Sequence, residues 1–347
     1  MPDIDSLFNT LIERNGSDLH LEEGQKPKIR INGTMTEVGD EVLTLGKMTA
    51  LLSQIAPQED WQRFQGHGDL DFAYTFNREA RFRANYFRHF FGLGAVFRLI
   101  PSKIRTLADL ELPEKIKDFP KWRSGIILVT GPTGSGKSTT LAALIDYINE
   151  NYSHKIITIE EPVEFTHPSK KCLITHREVG KDTVSFAQGL RTAIKSDVNM
   201  ILVGEMRDKE TIELALTASE MGILVFGTLH TNSAAKTIDR IIDAFPSNQK
   251  NQIRNVLANN LKAIIAQQLI PSADEKRRYA AYEILIRTTA LSNIILTGES
   301  LRLTNEIQMN RGQGMVLMDD SLMELVKANK ITKEAAYLKA INKSKFA

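Results

Sequence analysis

The segment GPTGSGKS, Gly131 to Ser138, constrains this chain more than any other. It follows the apolar run Ile126-Ile127-Leu128-Val129 and precedes a stretch with helical spacing, so strand, glycine loop and helix come in the order that G-x-x-x-x-G-K-S requires. Such a loop lets successive backbone N–H groups curl round phosphate oxygens, and the helix N-terminus adds a favourable dipole. Thr133, Gly134, Ser135, Gly136, Lys137, Ser138 and Thr139 are therefore the candidate nucleotide-binding residues. Lys137 would reach the terminal phosphates of ATP, and Ser138 would ligate Mg²⁺.

A loop of this kind belongs at the edge of a parallel sheet, and the pattern around it agrees. From Gly125 strands and helices alternate. Strands are expected at 125–130, 155–160, 199–203 and 223–229, with helices at 137–150, 183–195, 207–220 and 234–243. Beyond about residue 245 the pattern predicts mostly helix, apart from a strand over 280–285. Upstream the chain reads differently. A helix carries Ile4, Leu7, Phe8, Leu11 and Ile12; strand-like runs follow at 18–21, 28–31 and 35–38, with a turn at Asn32-Gly33. The pattern predicts one helix over 48–64 and an antiparallel set at 69–76, 80–87 and 94–100, with a turn at Asn77-Arg78-Glu79. The fold class is thus α/β with a smaller N-terminal α+β domain over 1–100, a proline-containing linker over 101–120, an ATPase domain over 121–347, and C-terminal helices from about 286.

Composition narrows the partners. In 347 residues, 44 basic side chains stand against 42 acidic ones, a net charge of +2 that calls for neither nucleic acid nor an anionic membrane. The stretch RFRANYFRHFF, 81–91, has the aromatics and arginines of a single-strand binder, but its aromatics serve equally as domain core, and nucleic acid is not the reading adopted. Cys172 is alone, which excludes a disulfide framework and a cysteine-cluster zinc site and fits a reducing cytoplasm. No apolar run reaches the roughly 18 residues of a membrane span, so no stable insertion is expected.

A phosphate cradle needs a carboxylate on the metal side and a group that activates water. Met200 to Val203 forms an apolar strand ending in Gly204 and Glu205. Placed beside the strand that feeds the loop, it would turn Glu205 toward Mg²⁺. For the water, ITIEEPVEF offers Glu160, Glu161 and Glu164. Glu160 and Glu161 cannot both face the nucleotide on one extended strand, and Pro162 stiffens the turn that places Glu164. A further strand, ILVFGTLHTNS, ends in His230, at the edge where open α/β sheets bind ligand. Arg81 and Arg83 share one face of a strand and Arg98 precedes the linker. Guanidinium groups suit phosphate.

GPTGSGKSTT, ITIEEPVEF, ILVGEMRD and GTLHTNSAAKTIDRI, in this order and at these spacings, resemble the secretion ATPase superfamily, and most closely its type IV pilus retraction ATPases, the PilT-type motors. The resemblance extends to GSDLHLEEGQKPKIRINGTM, RFRANYF and AVFRLIPSK, nearly the whole chain. It implies a PAS-like N-terminal domain on a RecA-like core, a homohexamer, and a motor that retracts pili from the cytoplasmic base of the machine. That motor would be peripheral at the inner membrane and engage its platform protein. By position it makes Glu164 the water-activating glutamate, Glu205 the metal-side carboxylate and His230 a sensor histidine. It also implies that Arg81, Arg83 and Arg98 approach nucleotide near the domain junction or from a neighbouring subunit.

Three positions depart from the family pattern. Ile223 stands where a second histidine precedes His230 by seven residues, Glu161 replaces the aspartate before the proline, and ALSNIILT, 290–297, replaces AIRNLIRE, with Ser292 and Leu296 in place of two arginines. ATP hydrolysis is still expected with these changes, whereas coupling to retraction is put in question. The alternatives are an accessory subunit working with a paralogous motor ATPase, and a pilus-assembly or type II secretion ATPase. Members of that last group usually carry an extra N-terminal domain and often a C-x-x-C zinc pair, for which this chain has neither room nor cysteines.

Overall fold

The computed structural model describes residues 3–31, 33–77, 80–101 and 103–347, so the turn residues Asn32, Arg78 and Glu79 lie outside it. Two units result, one of residues 1–103 with 164–166 and one of residues 104–163 with 167–347.

In the first unit, α1 (Asp5–Glu13) is followed by β1 (Asp18–Glu22), β2 (Lys28–Ile31) and β3 (Thr34–Glu37). Then come α2 (Leu45–Ser53), α3 (Gln58–His67), β4 (Asp69–Thr75), β5 (Ala80–His89) and β6 (Gly92–Pro101). All pairings are antiparallel, in the order β3-β2-β1-β6-β5-β4. The single helix expected over 48–64 is two helices. Thr44 caps the first by accepting from the Lys47 N–H, and Pro57, extended at ψ 142°, ends the connection and opens the second.

Strand β5 shows the two-residue period of a half-buried sheet. Ala80, Phe82, Ala84 and Tyr86 are buried, and Phe82 stacks on Phe8 of α1 with ring centroids 4.0 Å apart. Tyr86 packs edge-on against Phe97 and donates its hydroxyl to the Leu52 carbonyl at 3.2 Å, so a buried phenol keeps a partner. The alternate positions put Arg81 and Arg83 on the opposite face, where Arg83 is directly cross-strand from Arg98.

In the second unit, β7 (Gly125–Thr130), α4 (Lys137–Asn151), β8 (Lys155–Glu160), β9 (Leu173–Glu178), α5 (Phe186–Ile194), β10 (Met200–Val203), α6 (Lys209–Glu220) and β11 (Leu224–Leu229) come first. After them come α7 (Ala234–Asp243), α8 (Lys250–Asn260), β12 (Leu261–Pro271) and β13 (Arg278–Ile286). The chain closes with α9 (Thr289–Thr297), α10 (Leu303–Met309), α11 (Met318–Lys327) and α12 (Lys333–Lys339). The sheet order is β13-β12-β7-β11-β10-β8-β9, parallel throughout except for β13.

Two sequence expectations are corrected here. β10 does not lie beside β7: β11 sits between them and pairs with both, since chain neighbours need not be sheet neighbours. Residues 261–271, expected to be helical, form the long strand β12. LKAIIAQQLIP is buried nearly throughout and lacks the alternation that marks a half-buried strand, so its periodicity cannot tell strand from helix. The edge strand β9 lies beyond the four strands expected between 125 and 229, although KKCLIT, 170–175, already has a strand pattern. Residues 101–120, read as a linker, supply Leu107, Leu112, Ile116 and Phe119 to the core of the second unit, the last two from a 3₁₀ helix over Glu114–Lys121.

The two faces of β5 should separate in stability measurements. Phe82→Ala, which empties a fully buried ring site, is expected to cost about 3–5 kcal/mol in urea unfolding of the first unit. Arg83→Ala, on the other face, should stay within about 1 kcal/mol.

Candidate nucleotide site

Every residue of β7 is buried, which fixes the point where the chain leaves the sheet. The loop then turns through Gly131, Gly134 and Gly136 at φ of 149°, 77° and 89°, values that strain any residue with a Cβ. Space is equally decisive. A Cβ on Gly131 would fall 2.3 Å from the Gln267 carbonyl oxygen, and one on Gly136 would fall 2.7 Å from Gln267 Nε2. Gln267, buried on β12, donates from Nε2 to the Ser135 carbonyl at 2.7 Å and accepts from the Thr140 hydroxyl at 2.7 Å. One side chain thus braces the loop to the first turn of α4. Sequence reasoning missed it, and the signal was the amide pair Gln267-Gln268 inside a largely apolar run.

Lys137 opens α4 and donates from Nζ to the carbonyls of Gly131 (2.9 Å) and Pro132 (3.2 Å), which holds the ammonium over the loop. Thr133, Gly134 and Ser138 are exposed, Thr139 is half-buried, and Ser135 is buried with an Oγ that has no hydrogen-bond partner. A glycine-lined cradle with a lysine above it fits a polyphosphate.

The carboxylate and the histidine expected at the strand ends do meet. Because β10 and β11 are neighbours, Glu205 and His230 emerge side by side, with His230 Nε2 2.8 Å from Glu205 Oε1. Arg207 Nε approaches the same oxygen at 2.5 Å. Burial pushes the Glu205 carboxyl upward, but the Arg207 hydrogen bond and the His230 charge outweigh it and hold the group below the ordinary range. Glu205 is therefore an ionised hard-oxygen donor at pH 7. The two strand ends are laced together as well, for Thr228 donates its hydroxyl to the Gly204 carbonyl and Met206 N–H donates to the Thr228 carbonyl at 3.0 Å. Among the described residues no cluster of three or more His, Cys, Asp or Glu side chains could hold a metal. Ser138 and Glu205 are hard oxygen donors that fit Mg²⁺, which characteristically fills its remaining positions with phosphate oxygens and water.

The other candidates lie elsewhere. Glu160 ends β8, its carboxylate 3.9 Å from His176 Nδ1, and Glu161 is exposed beyond it. Glu164, half-buried on the segment joining β8 to β9, belongs with the first unit. On the sheet of that unit Arg98 pairs with Asp18 at 2.8 Å and Arg83 lies 3.9 Å from Asp71. Cys172 is buried just before β9, and burial pushes its thiol up, away from reactivity.

With this geometry established, comparison with known proteins decides the family. Residues 1–337 match the model for type II/IV secretion system proteins. The chain is 45% identical over 338 residues to the type IV pilus retraction ATPase PilT of Pseudomonas aeruginosa, covering 97% of this chain and 98% of that one. The chain belongs to the PilT-type retraction ATPases. It is also similar to a crystal structure of the pilus retraction motor PilT with bound ADP, at a TM-score of 0.91 and 41% identity over 99% of this chain and 98% of that one. The type IV pilus ATPase PilU of Pseudomonas aeruginosa is more distant, 35% identical over 96% of this chain and 87% of its own length. The α/β architecture with a helical C-terminal region is this family's fold.

Two outcomes follow for this site. Gln267→Leu strands the Ser135 carbonyl and the Thr140 hydroxyl, so it should cost about 1–3 kcal/mol in denaturant unfolding and weaken ADP binding about tenfold in a fluorescent-nucleotide titration. The second concerns His167, whose ring burial and the neighbouring His176 hold down to about 4 from 6.5, against the pull of Asp146. The unfolded chain takes up this proton below about 6.5 and the folded chain does not. Stability should therefore fall by about 3 kcal/mol as pH drops from about 6.5 toward 4. His167→Phe, which keeps a ring and loses the titration, should flatten that part of the profile of Tm against pH.

Proposed function

We propose that this chain is an ATP-hydrolysing motor that powers type IV pilus retraction, working as a homohexamer at the cytoplasmic base of the machine, peripheral to the inner membrane and engaged with its platform protein. The observation that carries this reading is the Glu205–His230 pair at 2.8 Å beside a glycine cradle, in a chain related to a retraction ATPase along almost its whole length. Among the described residues no helix is long and apolar enough to cross a membrane.

In this reading the loop N–H groups and Lys137 neutralise the terminal phosphates of ATP, and Ser138 and Glu205 would hold Mg²⁺, which would supply further neutralisation of phosphate charge. Glu164 takes the proton from the attacking water. His230, donating to Glu205, senses whether that carboxylate is engaged. Arg81, Arg83 and Arg98 would approach nucleotide near the domain junction or from a neighbouring subunit, where Arg83 and Arg98 would exchange Asp71 and Asp18 for phosphate.

An accessory role beside a paralogous motor is favoured by one observation. The altered segment forms helix α9, capped by Thr288, with Leu291, Ile294 and Ile295 buried. Ser292 turns inward to donate to the Ala258 carbonyl at 2.8 Å, and Leu296 is 45% exposed. Neither side chain offers a charge to a partner. A pilus-assembly or type II secretion ATPase is the remaining alternative.

Expressed as the sole retraction-type ATPase in a strain deleted for its paralogues, the protein should leave excess surface pili and little twitching. In the same test the purified protein should hydrolyse ATP, Lys137→Ala should lose ATP affinity, and Glu164→Gln should bind Mg-ATP with turnover cut at least about a hundredfold. Full twitching, abolished by Lys137→Ala, would make it a complete retraction motor and remove the accessory reading. Absence of any ATP hydrolysis by the assembled protein would overturn the motor itself.

A further inference from the structure

The segment between β8 and β9 is held at two points, and they fall on either side of Glu164. The backbone N–H of Val163 donates to Glu178 Oε2 at 3.1 Å, and the backbone N–H of His167 donates to His176 Nε2 at 3.0 Å. His176 and Glu178 are two residues apart on the edge strand β9, so both side chains project from the same face. Their β8 partners in register, Thr158 and Glu160, share that face. Only Glu164, Phe165 and Thr166 lie between the two held amides.

The imidazole is itself fixed. Because its Nε2 faces an N–H, that nitrogen carries the lone pair and Nδ1 carries the proton, which goes to the Thr158 hydroxyl at 2.8 Å. Thr158 is fully buried on β8, and the His167 ring lies nearly parallel to that of His176, with centroids 5.8 Å apart and an interplanar angle of 18°. Beyond the bracket the segment is fastened to the helix that begins at Lys137. Asn149, fully buried near the C-terminal end of α4, donates to the Pro168 carbonyl at 2.8 Å and accepts from the Lys170 N–H at 3.0 Å. A three-residue span anchored on both flanks to a sheet edge has little backbone freedom left, and that is what a side chain needs if it is to aim at one water molecule.

We infer that His176 and Glu178 are positioning residues for ATP hydrolysis, acting by clamping the backbone on both sides of Glu164. The inference rests on the assignment of Glu164 as the water-activating group. Neither residue needs to touch nucleotide. What each supplies is a hydrogen-bond acceptor at a fixed place, and this separates the proposal from a general need for packing: a substitution that keeps the acceptor should work and one that removes it should not.

The test is steady-state ATPase kinetics of the full-length assembled protein. His176→Ala leaves the His167 N–H without its acceptor and should lower kcat about ten- to a hundredfold while KM for ATP stays within about threefold. His176→Gln places an amide oxygen at the reach of Nε2 and should return kcat to within about threefold of wild type. Glu178→Ala and Glu178→Gln should repeat the contrast at the Val163 side, and they decide the matter if His176→Ala does not fold. In a Glu164→Gln background His176→Ala should cause no further loss, because the group being positioned has gone. Wild-type kcat in His176→Ala alongside an inert Glu164→Gln overturns the inference alone. Equal losses in the Ala and Gln variants, a loss carried by KM, or additive losses with Glu164→Gln also overturn it. Glu164→Gln turning over like wild type removes the assignment of Glu164 and the inference with it.

Discussion

A backbone that points several consecutive N–H groups inward at one small anion must curl too tightly for side chains, and it must then be kept from relaxing. The first requirement selects glycine at 131, 134 and 136, where φ is positive. The second falls to the sheet. β7 delivers the chain to a fixed point, α4 leads it away, and Gln267 of the neighbouring strand β12 bonds to the loop and to that helix at once. Both bonds are buried, so the amide cannot be removed without leaving unpaired polar groups, and a loop braced in this way meets its ligand without first paying to become ordered. The remaining chemistry is arranged around that point by the order of the strands. β11 next to β7, and β10 next to β11, place His230 and Glu205 at successive strand ends on the same edge of the sheet.

The electrostatics of that edge are set by proximity more than by burial. Glu205 is mostly withdrawn from water, which alone would favour its neutral form, yet Arg207 and His230 keep it ionised. A carboxylate kept charged by such hydrogen bonds could take a divalent cation without first losing a proton. Strand β9 shows the contrasting case. There His176 accepts at Nε2 with its tautomer dictated by two bonds, while His167 beside it is kept from taking up a proton first of all by its burial.

The sequence made the loop, the Glu205–His230 edge and the shared face of Arg81 and Arg83 legible because each depends on a short-range pattern: a glycine spacing, an apolar run with a polar end, an alternation of two. What it concealed depends on tertiary context. β12 is buried on both faces and has no period to read, so it passed for helix, and Gln267 was hidden along with it. β9 is an edge strand, LITHRE, with no fully buried residue, and no local signal marks His176 or Glu178 as anything but polar surface. The adjacency of β10 and β7 failed for a related reason, because strand order is settled by which apolar strand fills the centre of the sheet. β11, buried at every residue, does so.

Helix α9 shows how far a local element can be kept while its chemistry is replaced. Thr288 caps it, Gly298 ends it in the left-handed conformation, and Leu291, Ile294 and Ile295 supply its buried stripe, so the apolar packing of the helix comes from positions other than those where the family pattern has arginines. Those positions are consequently free to change without loss of fold. Ser292 spends its hydroxyl on the Ala258 carbonyl of α8, an internal bond that ties two helices together. Leu296 leaves an apolar side chain 45% exposed on the same helix. A cation there could make directional, charge-assisted bonds to an acidic neighbour, whereas a leucine can only bury area. The change therefore alters which surfaces this helix can recognise and leaves the glycine loop, Gln267 and the Glu205–His230 pair untouched.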